Sequence, residues 1–335
     1  MEYAERYLPK DIELFLITPK KHNHYKLKKT KIIEVEGGKI NFVIKLRKFC
    51  KEKKIDLLVN LGSPREPFGM LFSTIFTKTN FVVNLLSNPW DAPKLEKNKL
   101  KRILLHILNF LLIFPYLFAK KIILASEDLR KTAQGKFFFI KDKFIDIPLI
   151  VNSEIFYPEN KNVIREKLKL PKDKKIILYV GRMQYLKGAD ILFEIIKKNP
   201  NKLFILVGQR DSEFSEQNFK NVKFIQSAGV NELRDYYNAA DLFIFPSRIE
   251  AYGMVHREAM LCGTPSLVSD ITSLRITKNS LMAGLSPEEM QKQIDLFFSL
   301  PNSEVVKLSK KGREYILKEN SFDILSKKYR DVLLD

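Results

Sequence analysis

One stretch of the chain, residues 241–265, constrains the fold more than any other (DLFIFPSRIEAYGMVHREAMLCGTP). It predicts an apolar strand over 242–245 that breaks at Pro246. A helix is predicted to start near Tyr252 and to end at Gly263. A strand that leads through a loop into a helix leaves the first helical amides without intrahelical partners, which suits an anion. The stretch therefore predicts an α/β unit with an anion-binding site where this strand ends.

Two carboxylates flank the predicted helix N-terminus. Glu250 lies in the loop before it, and Glu258 lies about two turns along, at about 3.6 residues per turn. Gly253 lies between them and allows a ligand to come close to the backbone. One carboxylate can therefore reach each end of a molecule whose middle is a phosphate group. A sugar nucleotide has this layout, because a diphosphate joins its sugar to its ribose.

The length and composition of the chain indicate how many domains it forms and in which compartment it lies. A chain of 335 residues is long enough for two domains of ordinary size. Its two cysteines, Cys50 and Cys262, lie far apart and are predicted to be free thiols of a reducing compartment. The charged residues at 1–11 do not form the apolar core of a signal peptide. These features predict a cytoplasmic protein.

The positive charge is concentrated in the first half. Residues 1–150 hold 29 Lys and Arg against 15 Asp and Glu, whereas residues 151–335 hold 29 against 24. A basic half suits phosphorylated substrates, an anionic lipid surface or nucleic acid. A general bias of the source organism towards lysine would give the same excess of positive charge. The chain contains no recognised nucleic-acid motif, and Glu250 and Glu258 would repel phosphates. We therefore expect no nucleic-acid partner.

The most apolar segment is residues 100–119, for which three interpretations stay open. A membrane span needs about 20 apolar residues, and here His106, Asn109 and Pro115 interrupt the run. A buried helix that covers a sheet fits the composition as well. The third interpretation is a helix in a membrane interface, with the basic residues 94–102 beside it.

The second half of the chain alternates regularly between strands and helices, which predicts a parallel sheet with helices on both faces. The predicted strands are 176–180, 203–207, 222–225, 242–245 and 266–269. Residues 151–159 are interpreted as a linker because they are polar, contain a proline and show no period.

A second set of charged residues follows the strand at 176–180 (IILYVGRMQYLKG). Arg182 and Lys187 flank a short loop that opens a helix at Gly188. Ligands of open parallel sheets bind outside the carboxyl ends of the strands, and two cations there suit a diphosphate. In a transfer reaction the diphosphate leaves, so fixed positive charge lowers the barrier. Alone this pattern is common, but together with residues 246–265 it is specific.

The segments YVGRMQYLKG, DLFIFPSRIEAYGMVHREAMLCGTP and IPLIVNSEIFYP resemble the retaining glycosyltransferases of family four. The resemblance implies that Arg182 and Lys187 grip the donor diphosphate and that Glu250 meets the hydroxyls of the donor sugar; these three would be the catalytic residues. It also implies a wider donor-binding set that needs no metal and no cofactor besides the donor. The members of this set are Arg182, Lys187, Glu250, Ala251, Tyr252, Gly253, Met254 and Glu258, with Glu258 holding the ribose.

The resemblance also implies the GT-B fold, an α/β architecture of two Rossmann-like parallel-sheet domains that face each other across a cleft. Residues 1–150 would be the acceptor-side domain, and residues 151–320 would bind the nucleotide-sugar donor. The helix at 321–335 is predicted to pack back on the first domain. The chain is predicted to lack the first strand of its N-terminal domain, because the usual strand and glycine-rich loop are missing before Tyr3.

Two hypotheses for function follow. The first is retaining transfer of a sugar from a nucleotide-diphosphate donor to a glycan or lipid-linked acceptor of the cell envelope. In this hypothesis the protein is cytoplasmic and contacts the inner face of an anionic membrane peripherally. The alternative is a catalytically impaired or truncated homologue that binds nucleotide sugars as a partner subunit. It is motivated by the missing glycine loop and by the absence of the family's histidine after the strand at 81–86.

Overall fold

The structure is a computed structural model with two compact units, Met1–Pro148 with Phe322–Asp335, and Leu149–Ser321. The predicted domain boundary at 150 thus lies two residues from the boundary in the structure, and the C-terminal helix belongs to the first unit. The structure describes residues 8–19, 29–60, 66–86, 88–90, 93, 96, 98–214, 219–271, 280–320 and 322–335. The predicted loss of a strand before Tyr3 lies outside the described residues.

The first unit contains two parallel sheets. A two-stranded sheet pairs β1 (Phe15–Pro19) with β2 (Lys31–Val35). A four-stranded sheet has the order β3-β4-β5-β6, with strands Leu57–Val59, Asn80–Leu85, Lys121–Leu124 and Phe144–Asp146. The helices of this unit are α1 (Lys39–Glu52), α2 (Glu66–Thr74), α3 (Lys99–Leu111), α4 (Ile113–Phe118), α5 (Glu127–Lys136) and the C-terminal helix Phe322–Leu334.

Local sequence explains why these elements form. Strand β4 is buried at every position after Asn80, as is typical of a parallel strand covered on both faces. Helix α5 begins where the Ser126 side chain accepts a hydrogen bond from the backbone amide of Leu129. The C-terminal helix is tied to the sheet because the side-chain amide of Asn84 donates to the hydroxyl of Tyr329, 2.6 Å away.

The second unit is one six-stranded parallel sheet in the order β12-β11-β10-β7-β8-β9. Its strands are β7 (Ile176–Val180), β8 (Leu203–Val207), β9 (Val222–Ile225), β10 (Leu242–Phe245), β11 (Ser266–Ser269) and β12 (Leu281–Ala283). Its helices are α6 (Lys161–Lys167), α7 (Ala189–Lys198), α8 (Val230–Ala239), α9 (Met254–Leu261), α10 (Pro287–Ser299) and α11 (Asn302–Glu319). Counted along this unit the strand order is the doubly wound one, which reverses direction between β7 and β10.

Five strands of this sheet have the bounds that the sequence predicts, whereas α6 and β12 were not predicted. Helix α6 is short, and it makes contacts with residues far away in sequence. Arg165 in α6 is buried and donates to the Asp241 carboxylate and to the Ala239 carbonyl, 2.8 and 2.9 Å away. A local sequence pattern does not indicate such distant partners.

The apolar segment at 100–119 forms the consecutive helices α3 and α4. Among the described residues, these two helices form one helical stretch of 20 residues, Lys99–Phe118, whose length and composition would allow it to cross a membrane. Of its apolar 18-residue window, 17% is buried within the protein. Helix α3 has no buried residue, whereas Pro115 and Tyr116 of α4 are buried. The interpretation as a buried sheet-covering helix therefore holds for only a small part of the segment.

Candidate donor site at the switch point

The loops after β7 and β10 meet at the point where the strand order reverses. Gly188 has a φ of 71°, and a Cβ atom at this position would lie 2.0 Å from the Pro246 carbonyl oxygen. The backbone amide of Arg248 donates to the Leu186 carbonyl at 3.0 Å. The two stretches singled out from the sequence are thus in direct contact, because glycine is the residue that fits between them.

Lys187 and Glu250 join the two loops. The Lys187 ammonium lies 2.8 Å from Glu250 Oε2 and donates to the Ile249 carbonyl at 3.0 Å. Burial alone would raise the pKa of Glu250, but Lys187 and the backbone amides of Tyr252 and Gly253 outweigh it, so this pKa lies below its ordinary value. Glu250 is therefore an ionised carboxylate with a fixed position.

Arg182 is held at the end of β7 by two contacts. Its Nε donates to Asp211 Oδ1 at 2.7 Å, and its backbone carbonyl accepts from the Tyr179 hydroxyl at 3.0 Å. The side chain remains 61% exposed. A guanidinium has five N–H donors, so the Nε contact leaves both terminal NH₂ groups for an anion.

Helix α9 begins at Met254, two residues later than the sequence suggests. Gly253, which precedes it, has a φ of 76°, a left-handed conformation that no helical residue adopts. The amides of Ala251 and Tyr252 donate to Glu250 Oε1, at 3.1 and 3.5 Å. These two amides therefore orient the carboxylate. The amides in the first turn of the helix have no intrahelical acceptor and remain the candidate anion donors.

Glu258 lies within α9, and its carboxylate accepts a hydrogen bond from the Tyr237 hydroxyl at 2.8 Å. Burial raises the pKa of Glu258, and the Tyr237 hydroxyl opposes that shift without cancelling it. Tyr237 itself is fully buried, so it holds the carboxylate from the side of the core. The Glu258 carboxylate is thus held by Tyr237, and the Arg182 guanidinium is held by Asp211. The Lys187–Glu250 pair lies between the two loops.

Arg248 is a residue of this site that sequence reasoning missed. Its two terminal nitrogens each lie 2.7 Å from a different Asp190 oxygen, and its guanidinium stacks 3.9 Å from the centre of the Tyr185 ring. Asp190 lies in the first turn of α7, so this bidentate pair links that helix to the loop after β10. The signal available in the sequence was the position of Arg248 within the loop that carries Glu250.

Arg257 is a second missed residue. It is 3% exposed, and its guanidinium lies 3.6 Å from the centre of the Tyr252 ring. Its Nη1 also donates to the Gly253 carbonyl at 3.4 Å. A buried cation thus lies against the loop that carries Glu250, stabilised by the face of an aromatic ring.

No three His, Cys, Asp or Glu side chains among the described residues are grouped as a metal ion would require. Independence from metal stays a prediction. A cavity of about 390 Å³ lies beside α7, where Asp190, Phe193 and Phe214 form part of its wall. None of the eight residues predicted to bind the donor lines this cavity.

Comparisons with known proteins bear on both units. Residues 160–315 match the family model of glycosyl transferases group 1. Over 176 residues the chain is 28% identical to a D-inositol 3-phosphate glycosyltransferase of Streptosporangium roseum, in an alignment that covers 45% of this chain and 40% of the relative. The chain thus spans about two fifths of the length of the curated relatives it matches.

Solved structures match over nearly the whole chain. Sucrose-phosphate synthase from Thermosynechococcus elongatus superposes with a TM-score of 0.80 at 20% identity, over 96% of this chain and 89% of that one. HepE from Anabaena, in complex with UDP-glucose, gives a TM-score of 0.72 at 16% identity, over 91% and 85%. At this level of identity the likeness concerns the fold, and it confirms the predicted GT-B architecture of parallel-sheet units.

Proposed function

We propose that the protein transfers a sugar from a nucleotide-diphosphate donor, because residues 160–315 match the family model of glycosyl transferases group 1 in a chain with the GT-B fold. The observation that carries this proposal is the Lys187–Glu250 pair at the switch point between β7 and β10. Ligands of doubly wound sheets bind in the crevice at this point. The UDP-glucose bound by HepE supports a donor of the same class.

Each charged group has a role that its contacts support. The terminal NH₂ groups of Arg182 and the third N–H of Lys187 bind the diphosphate, whose charge rises as it leaves. Glu250 accepts hydrogen bonds from hydroxyls of the donor sugar, since Lys187 and two backbone amides keep it ionised. Glu258 accepts from the ribose hydroxyls and is oriented by Tyr237.

The proposed reaction retains the anomeric configuration. The bond from the anomeric carbon to the diphosphate oxygen breaks, and the electron pair stays on the diphosphate. The acceptor hydroxyl oxygen bonds to the same carbon on the same face, and its proton passes to the leaving phosphate oxygen. Glu250 is committed to Lys187, so stabilisation of the leaving group takes the place of a covalent carboxylate intermediate. A proton NMR spectrum of the product tests the retention, and an inverted anomeric centre would contradict it.

The test measures binding and turnover separately. Titration calorimetry with UDP-, GDP- and ADP-sugars identifies the donor, and release of the nucleoside diphosphate measures transfer or slow hydrolysis. Arg182→Ala and Glu258→Ala are expected to weaken donor binding by about tenfold or more each, the usual loss for a buried or charged hydrogen bond. Lys197→Ala is the matched control, because it removes a surface ion pair with Glu194 in the same unit.

Two results would contradict the proposal. If both variants bound every donor as the parent protein does, the switch-point site would be wrong. If the parent protein bound a donor but neither hydrolysed it nor transferred its sugar to any acceptor, the partner-subunit hypothesis would replace the enzyme hypothesis.

For the acceptor we propose a glycan or a lipid-linked precursor of the cell envelope, bound by the basic first unit on the cytoplasmic side. The support is the charge of that half, with 29 Lys and Arg against 15 Asp and Glu over residues 1–150. Acceptors with and without a lipid diphosphate should be compared in the transfer assay. Equal rates on both would show that the lipid diphosphate is not recognised and would contradict the lipid-linked acceptor.

A further inference from the structure

We propose that the helix Lys99–Phe118 binds the surface of an anionic lipid bilayer through one exposed apolar face. Its large apolar side chains are between 40% and 83% exposed. The members of this apolar face are Leu100, Ile103, Leu104, Ile107, Phe110, Phe114, Leu117 and Phe118. Their spacing of three and four residues places them along one side of the helix. Proteins that stay in water rarely leave a row of this size uncovered.

The opposite side of the same helix anchors it to the first unit. Leu112, Tyr116 and Ala119 belong to the hydrophobic core there. The side-chain amide of Asn109 donates to the Pro89 carbonyl at 2.6 Å. A helix that crossed the bilayer would have to leave this core. The apolar face therefore lies in the membrane interface while the other side stays packed on the protein.

The charges beside the apolar face select an anionic surface. The sequence contains no Asp or Glu from residue 98 to residue 126, but it contains five basic residues at the two ends of the helix. They are Lys99, Lys101, Arg102, Lys120 and Lys121. Lys101 also pairs with Glu96 at 2.8 Å. Basic residues next to a membrane surface gain energy from anionic headgroups, whereas a second copy of this basic half would be repelled.

Two further aromatic rings lie near the end of the helix. Phe138 and Phe139 are 73% and 50% exposed. They follow Phe137, whose ring packs 5.8 Å from that of Tyr116. Lys143, at the end of the same 3-10 turn, donates to the carbonyls of Leu117 and Ala119 at 2.6 and 2.8 Å. These contacts tie the turn that carries the two exposed rings to the end of the helix.

The test is sedimentation of the full chain with vesicles of phosphatidylglycerol and phosphatidylcholine, against vesicles of phosphatidylcholine alone. We expect binding only to the anionic vesicles, with a loss at high salt. Ile103→Ser with Ile107→Ser should lower the partition coefficient by about tenfold or more, because two aliphatic side chains that would enter the lipid are removed. The matched control is Leu296→Ser with Val306→Ser, which changes two exposed apolar residues of the second unit.

A second measurement locates the helix. In the Phe110→Trp variant, brominated lipids should quench the fluorescence of the introduced tryptophan. Trp90, which is 5% exposed, reports only that the first unit is folded. The proposal is overturned if the parent protein stays in solution or if the Ile103 and Ile107 variant binds vesicles like the parent. It is also overturned if the parent protein self-associates without ever binding vesicles and the variant abolishes that self-association. Donor and acceptor are left out, so failure here does not affect the proposed transfer, and failure of transfer does not affect this result.

Discussion

The polar residues near the carboxyl ends of the parallel strands differ between the two units. In the second unit, the loops after β7 and β10 bring Lys187 and Glu250 to 2.8 Å, with both side chains partly exposed. In the first unit, Asn60 directly follows β3 and Asn84 is the penultimate residue of the neighbouring strand β4, and both are buried. Each asparagine donates its side-chain amide to the backbone carbonyl of the other, at 3.0 and 2.9 Å. The first arrangement is charged and accessible, and the second is neutral and closed.

This difference shows how one sheet type serves two purposes. The asparagine pair satisfies its own donors and acceptors, so a ligand would gain little by displacing it. The charged loops keep donors of Lys187 and Arg182 available, because each cation is held by a single carboxylate. We therefore expect changes at the charged edge to affect ligand binding, and changes at the neutral edge to affect stability.

The largest effect should follow from Lys187→Ala. The variant removes a cation that faces the leaving diphosphate, and loss of one such group lowers the rate by about 10²- to 10³-fold. The measurement is kcat/KM for release of the nucleoside diphosphate, with circular dichroism as the control for folding. A fall in activity of the same size in Asn60→Ala would break the contrast between the two edges.

The next effect is on stability and concerns Asn60→Ala. The variant leaves the backbone N–H and C=O of Asn84 without their side-chain partner, which should cost roughly 2 kcal/mol of unfolding free energy. Urea unfolding followed by Trp90 fluorescence measures the first unit alone, because Trp90 is the only tryptophan. Donor affinity by calorimetry should not change. Unaltered stability together with weaker donor binding would reverse the assignment.

A third prediction concerns pH and the buried His256. Burial lowers its pKa to about 3, with Arg257 adding to the shift, so the unfolded chain takes up a proton at His256 below about pH 6.5 whereas the folded chain does not. Unfolding free energy should therefore fall with decreasing pH, by about 1 kcal/mol per pH unit through this group. Calorimetric unfolding between pH 7 and 5 measures the slope. His256→Gln should flatten it, and an unchanged slope would show that other groups dominate.

The smallest effect is expected for Tyr237→Phe. The variant removes the hydroxyl that favours ionisation of Glu258, so the pKa of Glu258 should rise further. Donor binding needs the ionised carboxylate, so affinity should fall by about tenfold or less near that pKa and recover at higher pH. Titration calorimetry at several pH values measures this shift. A uniform loss at every pH would mean that Tyr237 acts only through packing.

Sequence reasoning was accurate where a local pattern decides the structure. The buried strands of the second unit are short runs of Val, Ile, Leu and Phe with clear ends, and five of them have the predicted bounds. The helix after β10 was placed correctly apart from its start, because the left-handed conformation of Gly253 is not visible in composition. Trp90 is buried and packs against Phe137, a contact that a local pattern does not indicate.

By itself, the sequence determined that the second half alternates strands with helices, and that two loops carry the cations and carboxylates suited to a sugar nucleotide. Only the tertiary structure decided which strands are neighbours, and so placed the loop of Lys187 against the loop of Glu250. It also decided that Asp211 holds Arg182, that Tyr237 holds Glu258 and that Arg248 pairs with Asp190. One side of Lys99–Phe118 remains uncovered. The physical reason is that pairing, burial and electrostatic partners depend on residues far apart in the chain, whereas a local pattern records only period and polarity.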